Sequence, residues 1–170
     1  MKKSILKAVI LDLDGVITKT AILHFEAWKQ TFDDYLRLRK DRDAEPFKEF
    51  THQDYLEYVD GKPRYKGVES FLNSRGIRLP FGSPQDSPDE ETVCGIGNRK
   101  NLKFVEILKV KKPQIYHSTV RFIEDLKNRN IKIGVASSSK NCKRILESAG
   151  LLGIFETRVD GLVSEELRLK

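Results

Sequence analysis

The sequence predicts an α/β protein built on a parallel sheet, with a long helical insertion after the first strand. Three observations predict it. The run Ala8-Val9-Ile10-Leu11 is apolar without alternation, as in a strand buried on both faces of a parallel sheet. Residues 131–136 form a second such run, placed between two helical stretches, so strand and helix alternate. Between the first run and about residue 112 the ordered segments read as helical.

A length of 170 residues fits one domain, or one core with a small insertion. With 39% apolar and 33% charged residues, collagen-like, disordered and disulfide-scaffold classes are excluded. No apolar stretch is long enough to span a membrane, so no membrane partner is expected. The opening segment, residues 1–15, carries Lys2, Lys3 and a short apolar run broken by Lys7 and closed by Asp12 and Asp14; it reads as a strand and not as a signal peptide. Cys94 and Cys142 give neither a disulfide framework nor metal spacing, and a reducing cytoplasm is the expected compartment.

The elements follow in order. Residues 20–40 place Ile22, Phe25, Trp28, Phe32, Tyr35 and Leu36 at helical spacing. Residues 41–45 are polar, and Pro46 is expected to start a new element. Short helices are expected over 51–59, ended by Asp60-Gly61, and over 66–75, ended by Gly76. The proline-rich stretch 79–92 reads as a loop. Asn98 is the expected cap of a helix to Lys112, stopped by Pro113, and Ser118 the expected cap of the next, to Asn130. The second strand leads through Ser137-Ser138-Ser139-Lys140-Asn141 into a helix ending near Ala149, with Gly150 after it. A third strand is expected within 155–159 and a last helical turn over 164–169.

Two segments can carry chemistry. Asp12 and Asp14 stand two apart at a strand end, where carboxylates project to one side. A divalent cation relieves their repulsion, and hard oxygen ligands suit Mg²⁺. One such carboxylate can attack a metal-held phosphoryl group while the other moves a proton. The plainer alternative is a strand that ends in a polar loop. The serine turn 137–141 can hold an anion through backbone N–H groups, hydroxyls and Lys140, or simply cap a helix. In an open α/β sheet, ligands bind beyond the carboxyl ends of the strands, and an insertion after the first strand would cover such a site. Residues 98–112 hold Arg99, Lys100, Lys103, Lys109, Lys111 and Lys112 against Glu106, in a chain of formal charge +6. Read alone, this run is a solvated helix face; as a functional feature it favours an anionic partner.

The segment AVILDLDGVITKTAILHFEAWK (8–29) resembles the opening of the haloacid dehalogenase superfamily, in its β-phosphoglucomutase-like branch. KIGVASSSKN (132–141) resembles the branch's second motif, DGKPRYKGVESFLNSRGI (60–77) its helical cap and GNRKN (97–101) a substrate-contacting cap segment. The resemblance implies a Rossmann-like parallel core formed by 1–17 and 113–170, with an α-helical cap inserted over 18–112. It implies Mg²⁺-dependent phosphoryl transfer on a small sugar phosphate through an aspartyl-phosphate. Asp12 would be the nucleophile and a metal ligand. Asp14 would be the general acid/base and lend its backbone carbonyl to the metal. Ser137 and the Ser138 backbone would hold the transferring group. Ser139, Lys140, Asn141 and Arg64 match residues that grip a second phosphate. Lys100 matches a lysine touching the substrate, His24 and Trp28 the segment entering the cap, and Thr18 a hinge-side threonine. Read without the family, Arg64 is a loop charge, Lys100 part of the solvated face, and His24 and Trp28 a helical pair packing on each other.

The chain departs from the pattern at Lys19, where many relatives carry an acid, and at His117-Ser118, where Pro-Gly is frequent. The family's third-motif lysine and fourth-motif acidic pair are expected beyond Lys170, which lies slightly upstream of the former. The core is therefore expected to be incomplete at its C-terminal side, with one edge of the first strand open. A full-length parent would be a cytoplasmic, monomeric enzyme. The competing readings are a non-catalytic, truncated phosphate-ligand-binding module and a nucleic-acid binder. The latter is disfavoured because the basic run holds one aromatic residue, Phe104, and no nucleic-acid motif. The 170-residue chain is expected to show little or no turnover in a phosphatase assay at saturating Mg²⁺; robust turnover would overturn that expectation.

Overall fold

Strands β1 (Ala8–Asp12), β2 (Lys132–Ala136) and β3 (Thr157–Val159) pair in parallel, in the order β1-β2-β3, in the computed structural model. It describes residues 6–44 and 46–169; Lys2, Lys3, Glu45 and Lys170 lie outside the described residues. The chain divides into two units, Met1–Thr20 with Lys112–Lys170, and Ala21–Lys111.

In the sheet unit the connections α5 (His117–Asn128) and α6 (Cys142–Ser148) alternate with the strands, as a parallel sheet requires. β2 lies between two neighbours and buries Ile133, Gly134 and Val135. Ile123 and Leu126 of α5 pack on Ile133, with Val9 and Leu11 alongside. Burial of β1 on both faces does not hold: among the described residues it pairs with β2 alone, and Ile10 is 70% exposed. The last helix, α7, spans Gly161–Glu166 and not 164–169, because the Asp160 carboxylate caps it earlier by accepting from the N–H groups of Leu162 and Val163. Ser118 is not a cap: α5 starts one residue before it, and Tyr116 at the cap position makes no side-chain capping hydrogen bond.

The helical unit contains α1 (Ala21–Asp43), α2 (His52–Asp54, continuing as a wider turn over Tyr55–Val59), α3 (Arg64–Ser74) and α4 (Val93–Val110). Its core is aromatic: Phe32, Phe50 and Phe71 are fully buried, with ring centroids 4.2–5.0 Å apart. Ile22 stays out of this core at 67% exposure, although it lies on the apolar spacing. No regular element starts at Pro46. The segment reaching Phe50 is instead fixed by buried Asp33, whose carboxylate accepts the Phe50 N–H at 2.7 Å and pairs with Lys29 at 3.0 Å. α4 is capped at Thr92, six residues before the expected Asn98 cap. The Thr92 hydroxyl accepts from the Gly95 N–H at 2.9 Å and caps it. Asn98 instead ties the helix to the preceding loop, donating to the carbonyls of Pro84 and Asp86 and accepting from Tyr65 Oη.

The Phe71 ring is in contact with both other rings, and truncating it leaves a void that the surrounding helices cannot fill. Phe71→Ala is expected to destabilise the protein by about 3–5 kcal/mol, read as a lower denaturant midpoint followed by helical circular dichroism.

Candidate active site

The register of β1 against β2 sets Asp12 opposite Ala136, so the acidic turn and the serine turn leave the sheet at the same end. Leu13 is fully buried and anchors the first turn, and its N–H donates to Asp12 Oδ1 at 2.8 Å. Gly15 adopts φ +81°, a conformation open to glycine, and its N–H donates to the Thr18 carbonyl at 2.8 Å. The tight turn brings the Thr20 hydroxyl to Asp14 Oδ1, while Ser137 Oγ donates to Asp14 Oδ2 at 3.4 Å. Thr18, fully buried, lies 2.8 Å from Thr20, hydroxyl to hydroxyl.

The serine turn is wound by its own side chains. Ser137 Oγ accepts from the Ser139 N–H at 3.1 Å, and Ser139 Oγ from the Asn141 N–H at 3.2 Å. The helix itself opens only at Cys142, and Asn141 makes no side-chain cap bond. Lys140 Nζ pairs with Glu165 at 2.5 Å. An open cleft of about 550 Å³ is lined by Asp12, Ser137, Ser138 and Ser164, with Leu169 and apolar residues of the strands. Cys142 has its thiol pushed up to about 12, first by burial and then by the negative charges of Asp160, Asp14 and Asp12, against an opposing Arg158. It is therefore an inert thiol in an acidic field.

The Asp12 carboxylate and the Asp14 backbone carbonyl offer hard oxygens of the type Mg²⁺ takes. Among the described residues no group of three or more His, Cys, Asp or Glu side chains is arranged to hold a metal. The pair thus fits Mg²⁺ in donor chemistry and could provide part of its shell.

The helical unit holds a second cluster. Lys100 is buried at 4% exposure, which corrects its reading as part of a solvated face. Its ammonium lies 2.8 Å from His24 Nδ1 and 4.8 and 4.7 Å over the Trp28 and Phe104 rings. His24 and Trp28 stand four apart on α1, Lys100 and Phe104 four apart on α4, so two helical pairs face each other across one cation. His24 stacks on Phe104 at 4.1 Å. Burial, followed by the positive charges of Lys100 and Arg64, holds the imidazole well below its usual value and keeps it neutral. Arg64 is the first residue of α3, and its Nη2 donates to Asn101 Oδ1 at 2.8 Å. Elsewhere in the basic run Lys103 pairs with Asp34 and Lys111 with Glu26.

Sequence reasoning did not single out Thr20, Asn101 or Glu165. Thr20 shares a Thr-x-Thr spacing with Thr18, and Asn101 adjoins Lys100; both signals were present. Glu165 carried none, because its partner is distant in the chain.

The chain is similar to known proteins. A family model described as haloacid dehalogenase-like hydrolase matches residues 6–168. The β-phosphoglucomutase of Mycobacterium bovis is 44% identical over 161 residues, 94% of this chain and 62% of that protein. That of Bacillus subtilis is 33% identical, covering 91% and 61%. The crystal structure of a β-phosphoglucomutase from Clostridium difficile superposes with TM-score 0.70 at 25% identity, over 92% of this chain and 62% of that one. The chain thus spans about three-fifths of the length of these relatives.

Neutral, buried His24 makes stability depend on pH. Its proton affinity is lower folded than unfolded, so the unfolded state takes up the extra proton as pH falls through the ordinary imidazole range, and stability is lost in that direction. His24→Gln is expected to flatten this part of the stability profile, measured by urea denaturation between about pH 7 and pH 5.

Proposed function

The chain belongs to the haloacid dehalogenase-like hydrolase family, on its β-phosphoglucomutase-like branch, and from that premise we propose that its acidic and serine turns serve Mg²⁺-dependent phosphoryl transfer on a small sugar phosphate through an aspartyl-phosphate, with little or no sustained turnover expected of the 170-residue chain by itself. One observation carries the reading: Asp14 meets Ser137 at 3.4 Å, while Asp12 shares a cleft with Ser137 and Ser138.

In this mechanism a carboxylate oxygen of Asp12 attacks phosphorus, and the bond from phosphorus to the sugar oxygen breaks. Asp14 gives that oxygen its proton, and later takes one from the acceptor that relieves Asp12 of the phosphoryl group. The Thr20 and Ser137 hydroxyls aim the Asp14 carboxyl. Ser137 and the Ser138 backbone hold the transferring group. The Asp12 carboxylate and the Asp14 backbone carbonyl would hold Mg²⁺, whose chemistry there is charge neutralisation. Ser139, Lys140 and Asn141 hold a second phosphate. In the helical unit, Arg64 and Lys100 supply positive charge for an anionic sugar, and His24 and Trp28 keep Lys100 in place; in the sheet unit, Thr18 braces the turn between Asp14 and Thr20. Cytoplasmic location, and no nucleic-acid or membrane partner, belong to the same reading.

A second reading is a phosphate-ligand-binding module without turnover. One experiment separates the two. The chain is incubated with β-glucose 1-phosphate and Mg²⁺, and covalent phosphorylation is followed by mass spectrometry. A single phosphoryl group is expected on Asp12, absent from Asp12→Asn and after chelation of Mg²⁺. Asp14→Asn is expected to slow its formation by about 10²- to 10⁴-fold. Binding of the sugar phosphate with no label on Asp12 would favour the module. Comparing released phosphate with isomerised sugar then separates a phosphatase from a mutase.

A further inference from the structure

α7 is seated on the serine turn by its first residue. Gly161 has no room for a side chain: a Cβ there would lie 2.6 Å from the Ser138 carbonyl oxygen and 3.0 Å from both the backbone nitrogen and Cγ of Lys140. Asp160, 1% exposed, holds the start of α7 by accepting from the N–H groups of Leu162 and Val163 and pairing with Arg158 at 2.7 Å. Residues four apart share a helix face. The face that sets Gly161 against the stem of Lys140 therefore carries Glu165 to the head of Lys140, where the two charges meet at 2.5 Å.

We infer that Glu165 is the resting counter-ion of Lys140, one that an incoming phosphate must displace, so that it sets the anion affinity of the serine turn. The inference deepens the reading of Lys140 as a phosphate grip and rests on it. The Lys140 side chain is 22% exposed and that of Glu165 56%. Glu165 can therefore return to water while Lys140 stays over the turn. Exposed ion pairs are weak, so the carboxylate yields to a dianion with more charge and more acceptor oxygens. The pair keeps the lysine oriented when no ligand is bound, at some loss of affinity.

The test is calorimetric titration of the full 170-residue chain with inorganic phosphate at low ionic strength, where charge effects are least screened. Glu165→Gln is expected to tighten binding about 2- to 5-fold, the range set by an exposed pair. Glu166→Gln removes the same charge one residue further along and is expected to leave affinity unchanged. In a Lys140→Ala background, Glu165→Gln is expected to have no effect. Equal gains from Glu165→Gln and Glu166→Gln, a gain that persists without Lys140, or no gain at all would overturn the inference. If Lys140→Ala weakens binding while Glu165→Gln changes nothing, the counter-ion role alone falls. If phosphate binds equally well with and without Lys140, or fails to bind, the phosphate-grip reading falls and the counter-ion role with it. Circular dichroism of each variant shows whether the fold is retained.

Discussion

The parallel pairing of β1 with β2 is the constraint on which the rest depends. It joins residues more than 120 positions apart, and its register decides which residue follows each strand into solvent. With Asp12 set against Ala136, the next residue of β2's chain is Ser137, whose hydroxyl reaches Asp14. Because side chains alternate along a strand, a slip of one residue would turn Asp12 to the opposite face. Buried Leu13 and the hydrogen bonds around Gly15 and Thr18 resist such a slip by fixing the turn beyond the strand.

The two units use different means to carry charge. In the sheet unit, acids and hydroxyls gather at strand ends, where the backbone turns and water has access. In the helical unit, a cation is taken out of water: Lys100 sits between Trp28 and Phe104, with the lone pair of neutral His24 as its acceptor. A buried ammonium needs such compensation, since its desolvation outweighs any single contact. The stacked His24 and Phe104 rings close one side of it. The same burial that suits the lysine makes a charged imidazole unfavourable, so the two basic groups divide the roles of donor and acceptor.

Much of this was legible in the sequence. The strand runs, the Asp12-Leu13-Asp14-Gly15 turn, the serine turn and the helical stripe of α1 are local patterns whose physics is local. Errors fell where another residue, near or distant, competed with the local signal that was read. Asn98 has the chemistry of a cap, but Thr92 starts the helix earlier and Asn98 spends its hydrogen bonds on the preceding loop. Ser164 could begin a turn, but Asp160 caps first. Pro46 signals a new element, yet the segment after it is held by the buried carboxylate of Asp33. Lys100 reads as one more surface charge because a basic run carries no record of which member faces the core.

The sequence by itself determined the order of strands and helices, the acidic and serine turns and the family to which they belong, because these rest on residue type and short spacing. Tertiary structure alone decided that Ser137 meets Asp14, that His24 and Trp28 both meet Lys100, and that Glu165 reaches Lys140. The physical reason is that a close approach between distant residues depends on backbone register and on what each neighbour excludes, as Gly161 does beneath Lys140. Neither is written in the local pattern of either partner.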